Sequence, residues 1–295
     1  MKRPIVFIHS FNHPYLPLSL WQARQSNPDS EIFLIGDGWN AHFGFLVTHI
    51  DAAQYSTSAR EFALHFKNFS TNPHHFELVC LQRWFILEEF MKAKGLKDCL
   101  YLDSDILLYG DATDDGQQYS SFGMTISGIS GHSNFINKLC DLSEFCSFIR
   151  EAYVKSDGLQ ILEEKYRLFR ETHEAGGISD MTFFTSFKEK FTDKILDISR
   201  PLNGMAYDIA MAYIEFFPNE NGMKKVEREG DGKIKIRQRG FGEIELRSLH
   251  FQGEAKRFMK AHVFDFPTML CLLHGFNKGL ILFQRILKKG LSFIR

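Results

Sequence analysis

Three stretches of this chain carry a core that is apolar at successive rather than alternate positions: Pro4–His9 around Ile5-Val6-Phe7-Ile8, Glu31–Gly38 around Ile32-Phe33-Leu34-Ile35, and Asp98–Leu102 around Cys99-Leu100-Tyr101-Leu102. A strand with one wet face alternates apolar and polar residues. One that does not alternate is buried on both sides, the condition of a parallel sheet covered by helices. Helical signals fall between the runs. Trp21–Gln25 reads as a short helix, and Phe76–Lys94 repeats Leu78, Leu81, Phe85, Leu87, Phe90 and Met91 at helical spacing before Gly95 ends it. Phe45–Ile50 adds a third short strand before Asp98–Leu102. The expected fold class is therefore α/β with a mostly parallel central sheet.

Further along, Ser121–Ser127 reads as a strand, and 133–150, 157–171 and 179–190 read as helices. Glu227–Arg239 alternates charges with Ile around Glu229-Gly230-Asp231-Gly232, the pattern of an exposed hairpin, and Leu246–Phe251 reads as a last strand. There is no repeat and no linker. One domain over 1–260 is expected, followed by a basic, apolar tail over 261–295 with Lys278, Arg285, Lys288, Lys289 and Arg295 beside Leu and Ile. Such a tail either packs as a helix on the domain or seats peripherally on an anionic membrane surface.

Composition removes several classes. With 295 residues, 44% hydrophobic and 24% charged, the chain has ample core for a globular fold. Its 35 Lys+Arg against 36 Asp+Glu lack the basic excess of a general nucleic-acid binder. The five cysteines are odd in number and show no C-x-x-C spacing, so buried free thiols are expected. The apolar run at the N-terminus is too short for a signal peptide, and no stretch is long enough to span a bilayer. A cytoplasmic protein is expected.

The chemistry is concentrated in two places. Asp103-Ser104-Asp105 closes an apolar strand, where α/β sheets bind ligands, and is the one Asp-x-Asp in the chain. Residues i and i+2 of an extended segment point the same way, so both carboxylates can face one hard divalent ion. The second place is His250-Phe251-Gln252-Gly253-Glu254-Ala255-Lys256. There His250 can supply a nitrogen to the same ion, which suits Mn²⁺, Gly253 lets backbone approach a phosphate, and Lys256 adds positive charge against a diphosphate.

A hydrophobic strand into Asp-x-Asp, followed near the end of the fold by His-Phe-x-Gly-x-x-Lys, resembles the GT-A glycosyltransferases, and most closely glycosyltransferase family 8. The resemblance implies a Rossmann-like, nucleotide-diphospho-sugar transferase fold over roughly 1–260. It implies that Asp103, Asp105 and His250 hold Mn²⁺ (or Mg²⁺) on the diphosphate of a nucleotide sugar, a UDP-sugar first, with Lys256 on that diphosphate. By the same resemblance Arg83 reaches the donor, and Gly176-Gly177-Ile178-Ser179-Asp180-Met181 lines the sugar site with Met181 where the family has glutamine. Asp180 is the carboxylate expected at the reactive face, as nucleophile or as a partner for a sugar hydroxyl if configuration is retained, which the resemblance favours, or as base if it is inverted. Ser10, with Asn12 and His13, and Asp37 lie where such folds hold a nucleoside, and Ser104 joins the donor contacts. His132-Ser133-Asn134 faces the sugar or acceptor on this reading. The acceptor is a glycan or glycolipid hydroxyl, as in surface-glycan or lipopolysaccharide synthesis. Two other readings are a haloacid-dehalogenase-type phosphohydrolase, whose motif also ends a strand in Asp-x-Asp, and a non-catalytic nucleotide-sugar-binding protein. A nucleotidyltransferase would want a Gly-rich basic loop where Ser10–Pro17 stands.

Overall fold

The computed structural model describes residues 2–268 together with Leu270, Leu272 and Gly279. The chain runs β1 (Ile5–Ile8), α1 (Leu16–Ser26), β2 (Ile32–Gly36), β3 (Thr48–Asp51), α2 (Thr57–Ala63), α3 (His74–Lys94), β4 (Cys99–Leu102) and β5 (Ile106–Leu108). It continues through α4 (Ala112–Gln118), β6 (Met124–Ile126), β7 (Ser133–Ile136), α5 (Leu139–Val154), α6 (Ser156–Thr172), α7 (Asp180–Lys190), β8 (Ile195–Asp197) and β9 (Met205–Tyr207). The last strands are β10 (Asn219–Glu220), β11 (Met223–Lys224), β12 (Glu227–Arg228), β13 (Ile234–Gln238) and β14 (Gly242–His250), before a 3₁₀ run over Gly253–His262.

The central sheet has the order β3-β2-β1-β4-β7, parallel throughout except for β7, so the fold is mixed α/β with a mostly parallel central sheet. Alternate residues of its strands feed two cores. Val6, Phe33 and Ile35 pack with Leu81, Trp84, Leu87 and Phe90 of α3. Ile5, Phe7, Ile32 and Leu34 pack on the other side with Leu16 and Leu20 of α1. Burial on both faces is why these strands carry no polar alternation.

Several boundaries move. The helix expected at Trp21–Gln25 begins at Leu16, with Pro17 in a first turn where its missing N–H has no intrahelical partner to lose. The helix expected over 133–150 is instead β7 followed by α5. β4 needs a ladder partner on that edge and takes Ser133–Ile136, pairing Leu102 with Ser133 and Tyr101 with Asn134. Gly95 ends α3 as expected, with φ 65° in the left-handed region. The hairpin expected to be exposed turns one face inward, burying Ile234 and Ile236. Cys80, Cys99 and Cys146 are buried free thiols, whereas Cys140 is exposed, contrary to the expectation for it.

A second sheet, β12-β13-β14-β5, leaves the first at β5, and the Asp103–Asp105 segment is the hinge between them. Antiparallel pairing of β14 on β5 sets His250 opposite Ile106, one residue past Asp105. The Phe251 N–H closes this corner on the Asp105 carbonyl at 3.0 Å. Among the described residues no helix is long and apolar enough to cross a membrane. The start of the expected tail is tied down: Trp21 Nε1 donates to the Phe264 carbonyl and the Phe264 N–H to Gln22. Its basic residues from Lys278 onward lie outside the described residues.

Candidate active site at the ends of the central strands

Asp105 is the centre of the site. Its Oδ1 lies 3.6 Å from His250 Nε2, and its Oδ2 lies 2.9 Å from the Lys256 ammonium. The Nδ1 of His250 is 2.6 Å from the Ile209 carbonyl. A carbonyl only accepts, so Nδ1 carries a proton, and Nε2 is the ring nitrogen turned to Asp105. Lys256 also lies 5.0 Å from the Tyr15 ring centroid.

Asp103 turns elsewhere. Its Oδ1 accepts from Arg83 Nη1 at 2.5 Å and from the Tyr101 hydroxyl at 2.6 Å. Burial works against its charge, but Arg83, and then Tyr101, hold its carboxyl below the usual carboxylate range. Arg83 also donates to the Tyr101 oxygen at 3.1 Å, and its own pKa is raised by Asp103 against burial. In the sequence Tyr101 reads as a strand residue only. Its signal is the i, i+2 relation to Asp103, which turns the residue just past the end of β4 to the same side as Tyr101.

Ser104, between the two acids, hydrogen-bonds His9 Nδ1 at 2.8 Å, and His9 Nε2 meets His13 Nδ1 at 2.8 Å. Burial first, and then His13, push the His9 pKa down to about 3, so this imidazole is neutral at pH 7. The Ser104 carbonyl receives the Ser19 hydroxyl at 2.6 Å, which ties α1 to the hinge. Ser10 is exposed at the end of β1. Asp37 spends both oxygens on its own loops, accepting from the Phe11 N–H at 2.8 Å and the Trp39 N–H at 2.9 Å. Gly253 adopts φ 58°, and a Cβ there would meet nothing within 4 Å, so this glycine supplies left-handed backbone to an open surface.

Asp180 opens α7 and is buried, with Trp84 Nε1 donating to its Oδ2 at 3.2 Å. Burial raises its pKa to about 6; Arg83 pulls it down and Asp103 pushes it up, so these groups share one electrostatic neighbourhood. Gly177 places this segment. The Ile178 N–H bonds the Phe69 carbonyl at 2.8 Å, and a Cβ on Gly177 would stand 2.2 Å from that carbonyl oxygen. Gly177→Ala must push backbone apart, and a loss of about 1–3 kcal/mol is expected, read as a lowered midpoint of thermal unfolding.

His132 sits beneath the site at 2% exposure, its ring stacked on His250 with centroids 4.0 Å apart. Burial first, and then His250, lower its pKa to about 3. Gly131 before it has no room for a side chain, because the rings of Phe184 and Trp84 lie 2.5 Å and 2.6 Å from where a Cβ would be. Ser133 and Asn134 are buried in β7.

Among the described residues no group of three or more His, Cys, Asp or Glu side chains is gathered to hold a metal ion. The structure brings Asp105 and His250 together directly, with Lys256 as the positive charge on that carboxylate, while Asp103 stands on the same hinge with one oxygen committed to Arg83 and Tyr101. Two donors of the kinds that hard divalent ions take, a carboxylate oxygen and an imidazole nitrogen, meet at this corner, and a lysine ammonium stands on that carboxylate.

No protein-family model matches the sequence, and no curated protein matches it. Among solved structures, the chain is similar to an active-site mutant of LgtC, at 14% identity and a TM-score of 0.48 over 90% of this chain and 98% of that one. It is similar to the galactosyltransferase LgtC in complex with donor and acceptor sugar analogs, at 14% identity and a TM-score of 0.47 over the same shares of 90% and 98%. A third likeness is to the glycosyltransferase GlyE of Streptococcus pneumoniae, at 16% identity and a TM-score of 0.39 over 72% of this chain and 48% of that one.

Proposed function

We propose that the protein is a metal-dependent glycosyltransferase of GT-A type, moving a sugar from a nucleoside diphosphate to an acceptor hydroxyl. The observation that carries this reading is the meeting of Asp105, His250 and Lys256, drawn from two distant parts of the chain to the end of the central sheet. Asp103, Asp105 and His250 would hold Mn²⁺, and Lys256 would turn from Asp105 to the diphosphate. When bound, the ion acts as a Lewis acid on the departing phosphate oxygens.

Breaking the anomeric bond builds negative charge on the leaving diphosphate and positive charge on the sugar ring. The chain answers each charge. Lys256 is preorganised positive charge for the first. Asp180, ionised above pH about 6, is the carboxylate for the second. Arg83 fixes Asp103, and its positive charge offsets part of the rise that burial gives the Asp180 carboxyl. Retention of configuration is part of the proposal, with Asp180 at the reactive face, as is a surface-glycan or glycolipid acceptor. The phosphohydrolase reading needs a nucleophilic oxygen on the first Asp; Oδ1 of Asp103 is held by two donors, which leaves Oδ2 alone for that role.

The test is a screen of nucleotide sugars with Mn²⁺, scored for transfer to water and to sugar acceptors, with the anomeric configuration of the product read by NMR. Donor turnover dependent on Mn²⁺ supports the reading, whereas aryl-phosphate hydrolysis with no nucleotide-sugar turnover would refute it. Lys256→Ala gives opposite signs for two ligands. Affinity for a nucleoside diphosphate should fall about tenfold through loss of a charge-assisted contact. Affinity for Mn²⁺ alone should rise a few-fold, because Asp105 loses a competing cation. Titration calorimetry measures both.

A further inference from the structure

A buried ion pair behind the site has no part in the mechanism above. Asp208 and Lys224 bond each other with side-chain exposures of 0% and 2%. Lys224 is further enclosed by the Phe217 ring, 4.3 Å from its ammonium. Taking two charges fully out of water is expensive, and well-packed apolar residues would serve stability as well or better. What the pair touches gives it another use. Asp208 Oδ2 accepts the backbone N–H of His250 at 3.0 Å. The Asp208 carbonyl accepts from His132 Nε2 at 2.9 Å, and the next carbonyl, Ile209, accepts from His250 Nδ1 at 2.6 Å. Two stacked imidazoles are thus read by two consecutive peptide groups, and the residue carrying the first is locked by a lysine. The backbone beyond is laced to the same strand end, with the Met211 N–H on the His250 carbonyl and the Lys224 N–H on the Met211 carbonyl, both at 2.8 Å.

We infer that Asp208 is a positioning residue, which, anchored by Lys224, sets the 208–209 carbonyls so that His250 carries its proton on Nδ1 and His132 on Nε2. The consequence is that both rings turn their other nitrogens away from that backbone. His250 Nε2 faces Asp105, and His132 Nδ1 is buried with no hydrogen-bond partner among the described residues. Fixing the tautomer of a ligating imidazole through its other nitrogen is what raises it from a titrating side chain to a preset donor. The inference deepens the metal-dependent reading and rests on it for its use, though not for its geometry.

The experiment has a spectroscopic arm and a binding arm. In the metal-free wild-type protein, long-range ¹H–¹⁵N spectra of the histidine side chains report the tautomers, with His250→Gln and His132→Gln assigning the two resonances. Nδ1–H at His250 and Nε2–H at His132 are expected; the reverse tautomer at either ring overturns the inference whether or not any variant folds. In Asp208→Leu/Lys224→Met the charges leave together, so no buried charge is stranded, but the acceptor for the His250 N–H is gone. His250 should then populate both tautomers, and Mn²⁺ affinity should fall about 10–100-fold. Asp208→Asn/Lys224→Met keeps that acceptor but loses the lysine anchor, and its Mn²⁺ affinity should fall between that of Asp208→Leu/Lys224→Met and wild type. A folded Asp208→Leu/Lys224→Met protein with an unmixed His250 tautomer and unchanged Mn²⁺ affinity would make the pair a core feature only. If the wild-type protein itself binds no Mn²⁺, the metal-dependent reading fails, and the tautomers alone decide the inference.

Discussion

Asp105→Asn is expected to lower kcat/KM for sugar transfer by about three orders of magnitude, equivalent to about 4 kcal/mol of transition-state stabilisation. The loss is chemical rather than architectural. The corner is held by the Asp105 backbone carbonyl, which accepts the Phe251 N–H, and by the β5–β14 ladder, and neither uses the side chain. What goes is the charge that faces both His250 Nε2 and the Lys256 ammonium. An amide is a far poorer ligand for a hard divalent ion than a carboxylate, and it leaves Lys256 without its anionic partner. Steady-state kinetics should show the fall with a thermal midpoint within a few degrees of wild type. A variant that unfolds, or one retaining a tenth of the activity, would show that Asp105 serves the fold or merely borders the chemistry.

Asp180→Asn is expected to separate activity from stability in opposite directions. In the wild type, burial raises this carboxyl to about 6, and in the proposed mechanism its ionised form is the active one. The rate should therefore decline as pH falls through about 6, and removal of the carboxylate should lower kcat by a factor on the order of 10³ and flatten that acidic limb. The stability sign is the reverse of the usual paired acid. Between the unfolded value near 4 and the folded value near 6, the native state binds more protons than the unfolded chain, so stability falls as pH rises across that window and stays low above it. Asn keeps an oxygen for Trp84 Nε1 and carries no charge to bury. The variant should match wild type near pH 4 and exceed it at pH 8, by up to about 3 kcal/mol. Denaturant unfolding at the two pH values measures this, and a wild type that is the more stable protein at pH 8 would contradict the buried, ionised Asp180.

How much of this was legible depends on how local each signal is. The parallel strands were, because Ile5–Ile8, Ile32–Gly36 and Cys99–Leu102 are saturated with apolar residues and only two-sided burial explains that. β7 was not. Ser133-Asn134-Phe135-Ile136 is too short and mixed to be told from the start of a helix, and its strand state is decided by the open edge of β4. Asp103 and Asp105 could be placed at a strand end from spacing alone, but their division of labour could not, since it depends on Arg83 arriving from α3 against one and Lys256 from beyond β14 against the other. His250 was legible as a candidate from its neighbours in sequence. The register that sets it opposite Ile106 is a long-range fact with no local signature. Asp208 and Lys224 left no trace, because a buried ion pair reads in sequence as two surface charges.

Diffraction from crystals grown with Mn²⁺ and a nucleoside diphosphate, collected at the manganese absorption edge, tests the central claim most directly. The account predicts one anomalous peak about 2.2 Å from both a carboxylate oxygen of Asp105 and Nε2 of His250, with Asp103 adjoining it and the Lys256 ammonium moved from Asp105 to a phosphate oxygen. A nucleotide bound with no peak at that corner, and Lys256 still on Asp105, would contradict it.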